Sequence, residues 1–569
     1  MPDTNLNAPP VFSANFRDGS TLYGGYGHDT LRDGDGITRL FGGNGNDTYI
    51  VTSSATYIYD SGGDDTAYVY CDFTKVPDAS IEHIIYGPGV KPVPYWVNDL
   101  LPDSAAGQNY LALLGPGRTY TYAFPTVAPA YATSESIANF TAFTPAQQTF
   151  TRAMLAYIST VADLRFVETT YVKGSNTIAY ANSSMTNMAG FSYYPNSSSI
   201  GSDVYIDSGD TTFQTPTDGQ YSSYLFMHET GHALGLKHPF EDVNHLDPVE
   251  DNSYLTVMAY DPDSADMHMK YGDFDIAALQ YLYGPSKTAR TGDDTYVYNE
   301  STSNFIWDGG GNDTIDASSS SKGVTIYLTP GYWGYNGAAA SGHITDPGQI
   351  TVNFGTAIER LIGSRYDDHL YGNDLDNTFQ GLGGNDFIDG GKGIDTVIMD
   401  SKRADFTLSS NGGTWTVADT RGGASNGADT LVNVERLTFN DTHVALDLAG
   451  NAGDVAKVIG AVFGSAAVRA MPDVVGIGLH DRDGGMSYSD LAALALGAVG
   501  ATTSAKVVAT LWHNVVGTTG TAADFAPYIF MLDHGTSVGA LATMAADLAL
   551  NTDRIDLVGL MHTGLEFHA

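Results

Sequence analysis

Apolar positions in this chain follow two spacings. Between Gly363 and Ile398 they recur every nine residues, at Leu370, Phe379, Ile388 and Val397, each preceded by glycines and by Asp368, Asn377, Asp386 or Asp395. Residues 24–50 hold three more such units, with Leu31, Leu40 and Tyr49 inward and acids at Asp29 and Asp47; the middle unit has Thr38 at the acid position, which weakens a site there. The glycines make a tight turn with bare carbonyls, the acid adds a carboxylate, and a three-residue strand buries one side chain. Turns of this kind stack into a parallel β-roll that holds calcium between its layers. Residues 57–70 read as a closing β segment, and Arg290–Thr295 and Trp307–Thr314 as Gly/Asp turns before short strands.

The second spacing is helical. Phe150, Met154, Tyr157 and Val161 define one face of a helix over Pro145–Val161; another helix starts near Gln220, and Phe274–Tyr283 forms a third, ended by Gly284 and Pro285. Strands are expected at Arg118–Phe124, Asn176–Ala181 and Asp203–Asp207, with Met188–Tyr194 as an exposed edge strand. The breaker-rich Gly87–Pro94 marks a boundary. Ala404–Leu446 reads as strands, and beyond Gly450 the composition turns to Ala, Val, Leu and Met at helical spacing. Within that last part, Asp481–Asp490 has the look of a calcium loop but carries Leu479 at the first ligand position, so a polar turn is expected; His534–Gly539 reads as a helix entry.

Composition sharpens this picture. The chain has 65 Asp+Glu against 26 Lys+Arg, a formal charge of −39, and only 10 of the acids are Glu. Aspartate is the poorer helix former, so its excess beside 65 glycines points to turns that bind hard cations. So acidic a chain is no partner for nucleic acid. The single cysteine, Cys71, allows no intrachain disulfide, which leaves calcium as the staple. Residues 1–10 show neither the basic region nor the apolar run of a Sec signal, and no run approaches the roughly 18 apolar residues of a membrane span.

One stretch carries chemistry. Met227–Pro239 places His228, Glu229, His232, Gly235 and His238 at the spacing H-E-x-x-H-x-x-G-x-x-H. On a helix, His228 and His232 share a face, and Glu229 flanks a water held between them. Gly235 can take positive φ and end the helix, so that the chain doubles back with His238. Three nitrogen ligands and one open position are how a catalytic zinc is held. Some twenty residues after His238 comes Tyr254-Leu-Thr-Val-Met-Ala-Tyr260.

Taken together, these motifs resemble the serralysin group of metzincin endopeptidases over residues 91–400. The resemblance implies His228, His232 and His238 as zinc ligands, Glu229 as general base, Met258 as support beneath the ligands, and Tyr260 as retractable fifth ligand and transition-state donor. The family's Trp-Asp-x-Gly-Gly-x-Asp turn matches Asp308, Gly310, Gly311 and Asp313 as calcium ligands. Its Thr-x-Glu pair matches Ala357, which offers only a carbonyl, and Glu359. The roll ahead of the protease region departs from the family pattern. The expected organisation is an α+β multidomain protein: an N-terminal roll (1–90), a metzincin domain (91–285), a second roll (286–400), a β extension (401–450) and a mostly helical module with the secretion signal (451–569). The expected function is a secreted, calcium-stabilised zinc endopeptidase with one catalytic zinc and several structural calcium ions. Its expected partners are protein or peptide substrates and a type I secretion apparatus, and the protein is expected to be an extracellular monomer, possible also at the cell surface. The alternative is a non-catalytic calcium-binding scaffold or adhesin with a relic protease domain. Cys71 is expected to be a small buried hydrophobe, with a latency role as a zinc thiolate as the rival reading. Calcium in the range of about 10⁻⁴–10⁻³ M is expected to order the rolls; identical far-UV circular dichroism with and without millimolar calcium would contradict this.

Overall fold

The computed structural model describes residues 16–18, 21–34, 39–52, 56–71, 81, 83–87, 93–102, 110–114, 117–132, 137, 139–172, 174, 176–242, 244–260, 267–422 and 427–568. In the first block successive short strands alternate between two parallel sheets. Thr30–Arg32, Thr48–Val51, Thr66–Val69 and His83–Tyr86 form one; Thr21–Tyr26, Arg39–Asn44 and Tyr57–Tyr59 form the other, with Phe16–Asp18 added antiparallel. Leu31, Tyr49 and Ala67 stack in register on one side and Leu40 and Ile58 on the other, all buried. The nine-residue units are therefore half-turns of a roll, and the segment expected at 57–70 supplies a further turn of it.

The central part is a sheet flanked by helices. Arg165–Glu168, Thr119–Ala123, Thr177–Ser183 and Val204–Asp207 run parallel, and Gly190–Ser192 pairs antiparallel at the edge. Strand Arg165–Glu168 was not expected from the pattern, because Val167 points outward and its alternation is poor. Helix Pro145–Val161 starts in a capping box between Thr144 and Gln147. Helices Tyr221–Ala233 and Asp273–Tyr283 bury most of their residues in one core with Met154, Ile158, Tyr180 and Ile206.

The second roll repeats the logic of the first. Ile315, Leu361, Phe379, Val397 and Leu437 stack in one sheet, and Ile326, Leu370, Ile388 and Leu431 in the other. Strands beyond residue 401 add to the same two sheets, because Leu431 and Leu437 continue the two apolar columns. Helices then follow around Asn451–Phe463, which is buried on nearly every side. Arg436 ties them to the roll by pairing with Asp447 and Asp483 at 2.5 and 2.7 Å. Asp483 ends helix Pro472–Asp483 in that ion pair, and Ser487 caps the next helix by accepting from Asp490 N, so only a short polar turn joins the two; Ser537 likewise caps Val538–Ala546. The chain finally returns to the sheet: Leu565–Phe567 pairs antiparallel with His443–Ala445 beneath helix Pro472–Asp483. Among the described residues no helix is long and apolar enough to cross a membrane.

Cys71 is half-buried and packs against the core of the first roll.

Because Phe567 is buried against His443, Phe567→Ala is expected to cost about 3 kcal/mol, read as a lower unfolding midpoint of the calcium-saturated protein.

Candidate metal centre

Helix Tyr221–Ala233 ends at Leu234, and Gly235 turns the chain at φ 105°. A Cβ on Gly235 would lie 2.5 Å from the Tyr110 ring, so glycine is required by both backbone and space. The returning loop is held by fully buried Lys237, whose ammonium donates to the carbonyls of Glu241 and Asn244 and whose backbone N–H donates to Leu100 O at 2.9 Å.

This loop brings His238 against the helix. His228 Nδ1 lies 2.8 Å from Val257 O and His232 Nδ1 lies 2.7 Å from Leu236 O. A carbonyl can only accept, so both Nδ1 atoms carry the proton and both Nε2 lone pairs are bare. These meet His238 Nε2 at 3.2 and 3.0 Å. Burial pushes His228 down to about 4 and His232 well below its usual value, which keeps both imidazoles neutral. Bare lone pairs this close repel one another unless a cation lies among them. Tetrahedral ligands at roughly 2.0–2.1 Å from one zinc ion are about 3.3–3.4 Å apart, so the donor set fits zinc.

Glu229 is 4% exposed beside this cluster. Its Oε2 accepts from the Ser192 hydroxyl at 2.8 Å, and a Cβ on Gly190 would lie 2.8 Å from its Oε1. The edge strand thus runs directly past the carboxylate, and burial pushes that carboxyl up to about 8. Met258 is fully buried beneath the helix, with its sulfur 2.6 Å from where a Cβ on Gly231 would sit. The turn before it is fixed by Asp275, which accepts from Thr256 Oγ1 (2.6 Å), Val257 N (2.8 Å) and Gly272 N (3.0 Å). The Tyr260 ring is 4.5 Å from that of His238 and 5.8 Å from that of His228, and the residue is 67% exposed. All six residues expected at a zinc centre therefore gather in one place.

The expected calcium residues form ladders along the rolls. Asp29 N donates to Asp47 Oδ1 at 2.7 Å and Asp368 N to Asp386 Oδ1 at 3.0 Å, while Asn377 N donates to Asp395 Oδ1 at 2.7 Å. Each rung spends one oxygen. The second oxygens of Asp47, Asp386 and Asp395 are buried with no hydrogen-bond donor, an opening suited to a divalent cation. Burial and the neighbouring Asp429 push Asp386 up to about 8, and Asp395 stands at about 7. Asp308 Oδ1 accepts from Gly310 N at 2.6 Å, Gly310 and Gly311 take positive φ, and Asp313 N donates to Glu359 at 2.8 Å. Two members differ. Asp368 is bonded through both oxygens to Ser364, and Asn377 donates its amide to Ile358 O, so both positions are satisfied within the protein.

Four stretches, residues 23–53, 300–320, 355–374 and 362–397, match the RTX calcium-binding nonapeptide repeat. The chain is 31% identical over 280 residues to a serralysin of Photorhabdus laumondii subsp. laumondii, covering 43% of this chain and 56% of that protein. It is 29% identical over 269 residues to serralysin B of Dickeya chrysanthemi (40% and 53% covered). This chain is a relative of the serralysins. It is also 29% identical over 301 residues to metalloprotease AprA of Pseudomonas entomophila, with 46% and 60% covered. The chain spans little more than half the length of these relatives.

Several residues of this serralysin relative escape the motif. Glu241 Oε1 pairs with His238 Nδ1 at 2.7 Å; it lies outside the histidine pattern, although a carboxylate three residues past a ligand is the signal to look for. Ser192 and Gly190 reach Glu229 only through the fold. Asp429 and Glu435 end the two ladders, accepting from Asp386 N (3.1 Å) and Asp395 N (2.9 Å), although neither stands in a complete nine-residue unit. Glu241→Ala is expected to weaken metal retention about 10–100-fold in a chelator competition, with the unfolding midpoint of the rolls unchanged.

Proposed function

We propose that this chain is a secreted, calcium-stabilised zinc endopeptidase in which residues 91–285 form a metzincin-type catalytic domain. Rolls at 1–90 and 286–400, a β extension at 401–450 and a mostly helical module at 451–569 complete it. The observation that carries the reading is the convergence of three bare Nε2 atoms beside the buried Glu229 carboxylate, at the edge of a sheet. The serralysin relatives support the same chemistry.

A zinc ion held by His228, His232 and His238 would polarise a water and the scissile carbonyl. Glu229 takes the water's proton at Oε1, the oxygen that Ser192 leaves free, and delivers it to the departing amide nitrogen. Tyr260, exposed and beside the ligands, donates its phenol proton in a hydrogen bond to the carbonyl oxygen as charge develops there. The substrate backbone adds as a strand to the edge Gly190–Ser192. This pairing places the scissile bond next to Glu229, because Gly190 and Ser192 both touch that carboxylate. Export through a type I channel in an unfolded state, with calcium ordering the rolls outside, fits ladders of orphan carboxylate oxygens.

Glu229→Gln is expected to leave a folded protein that still binds zinc and to lower kcat at least about 10²–10⁴-fold on a peptide mixture. Tyr260→Phe is expected to lower kcat about 10²–10³-fold with little change in KM. A zinc-loaded wild-type chain that cleaves no peptide in a whole-proteome mixture would instead make the protein a calcium-binding scaffold.

A further inference from the structure

Phe240 stands two positions past His238, and no step of the hydrolysis uses it. Its ring lies parallel to that of His238, with 4° between the planes and 5.2 Å between centroids, and meets the Tyr260 ring at 4.9 Å. It is nonetheless 42% exposed. The loop that carries it is closed by backbone bonds. Glu241 N donates to His238 O at 3.3 Å, and Leu246 N, from a residue buried in the central core, donates to Pro239 O at 2.8 Å. Phe240 and Tyr260 thus form one contiguous aromatic wall on the His238 side of the centre, open to solvent.

The opposite wall is the edge strand. Asp207 N donates to Ala189 O at 2.8 Å and Tyr193 N to Asp203 O at 3.1 Å, so these residues bond toward the neighbouring strand. By the alternation of an antiparallel ladder, the backbone groups of Gly190 and Ser192 face the open side. Side chains alternate as well, and positions 190, 192 and 194 share one face. Gly190 and Ser192 touch Glu229 there, and Tyr194 sets its ring edge-on to that of His232 at 5.7 Å. The His232 and His238 rings are themselves 4.5 Å apart, with Tyr194 beside the first and Phe240 on the second. A peptide paired with Gly190 and Ser192 turns one side chain to this same face. Small residues at 190 and 192 leave it room, and aromatic rings bound it.

We propose that Tyr194 and Phe240 form a subsite for a large apolar or aromatic side chain bordering the scissile bond, which makes peptides with such a residue the substrates. The subsite rests on the endopeptidase reading and adds a substrate class to it. Burial of the side chain against two rings supplies the preference, since aromatic rings contribute large apolar area and favourable ring contacts. Glu241, which follows Phe240 and pairs with His238, and the formal charge of −39 disfavour an acidic side chain at the same position.

The test maps cleavage sites on a whole-proteome peptide mixture, using the full zinc-loaded chain and its Phe240→Ala and Tyr194→Ala variants. Wild type is expected to favour Phe, Tyr, Trp, Leu or Met at one of the two positions bordering the cut, and to disfavour Asp and Glu there. For a peptide pair with Phe or Ala at that position, each variant is expected to lower the ratio of kcat/KM values about 10-fold or more, with preferences elsewhere unchanged. A purely structural role over the ligand rings would instead slow both peptides alike and leave the ratio as in wild type, which overturns the proposal. If Phe240→Ala does not hold zinc, Phe240→Leu keeps an apolar cover on the His238 ring. That variant is expected to shift the preference from aromatic to aliphatic side chains, and an unshifted profile overturns the proposal. Wild-type cleavage without preference at either position sinks this subsite alone, whereas no cleavage at all sinks the endopeptidase reading with it.

Discussion

The hydrogen bond from His228 Nδ1 to the carbonyl of Val257 joins the parts of the central region to one another. It sets the tautomer of one imidazole, and it draws the turn carrying Met258 up against the histidine helix. That turn is in turn held by Asp275, a fully buried carboxylate at the start of helix Asp273–Tyr283. The order of dependence runs from a helix N-terminus, through one peptide group, to a ring nitrogen. Charge buried at Asp275 is stabilised by three donors and so does not need a cation partner. The three converging Nε2 atoms have no such donors, and for that reason they remain available to an ion.

The rolls solve a related problem differently. Asp47, Asp386 and Asp395 each spend one oxygen on the backbone N–H of the layer before and turn the other inward. The backbone ladder thus makes the layers, while the spare oxygens make the layers mutually repulsive. With so large a negative charge on the whole chain, folding of these parts is coupled to cation binding by the same linkage that couples any ligand to the state it binds. On the proposed reading, that coupling separates a loose chain inside the cell from a folded one outside.

How much of this could be read from sequence depends on how local each constraint is. The rolls were legible because every half-turn needs its own glycine, acid and inward apolar residue, so Leu370, Phe379, Ile388 and Val397 declare the register themselves. Helix Pro145–Val161 and the three histidines were legible for the same reason. Glu241, Ser192 and Gly190 were not, since their partners are set by how a loop and an edge strand fold back. Asp429 keeps only Gly427 of its unit and Glu435 has no glycine just before it, so a search for the repeat passes over both. Strand Leu565–Phe567 was hidden by its length and by the helices that precede it.

Gly231, between His228 and His232, is a poor residue for a helix interior, costing about 1 kcal/mol relative to alanine, yet the Met258 sulfur occupies the space any side chain would need. The turn of helix that bears the ligands is therefore not self-supporting. It holds its shape only while the methionine turn is docked beneath it, and the methionine turn is docked only while that groove in the helix exists. The helix turn carrying His228 and His232 and the methionine turn are therefore packed as one unit.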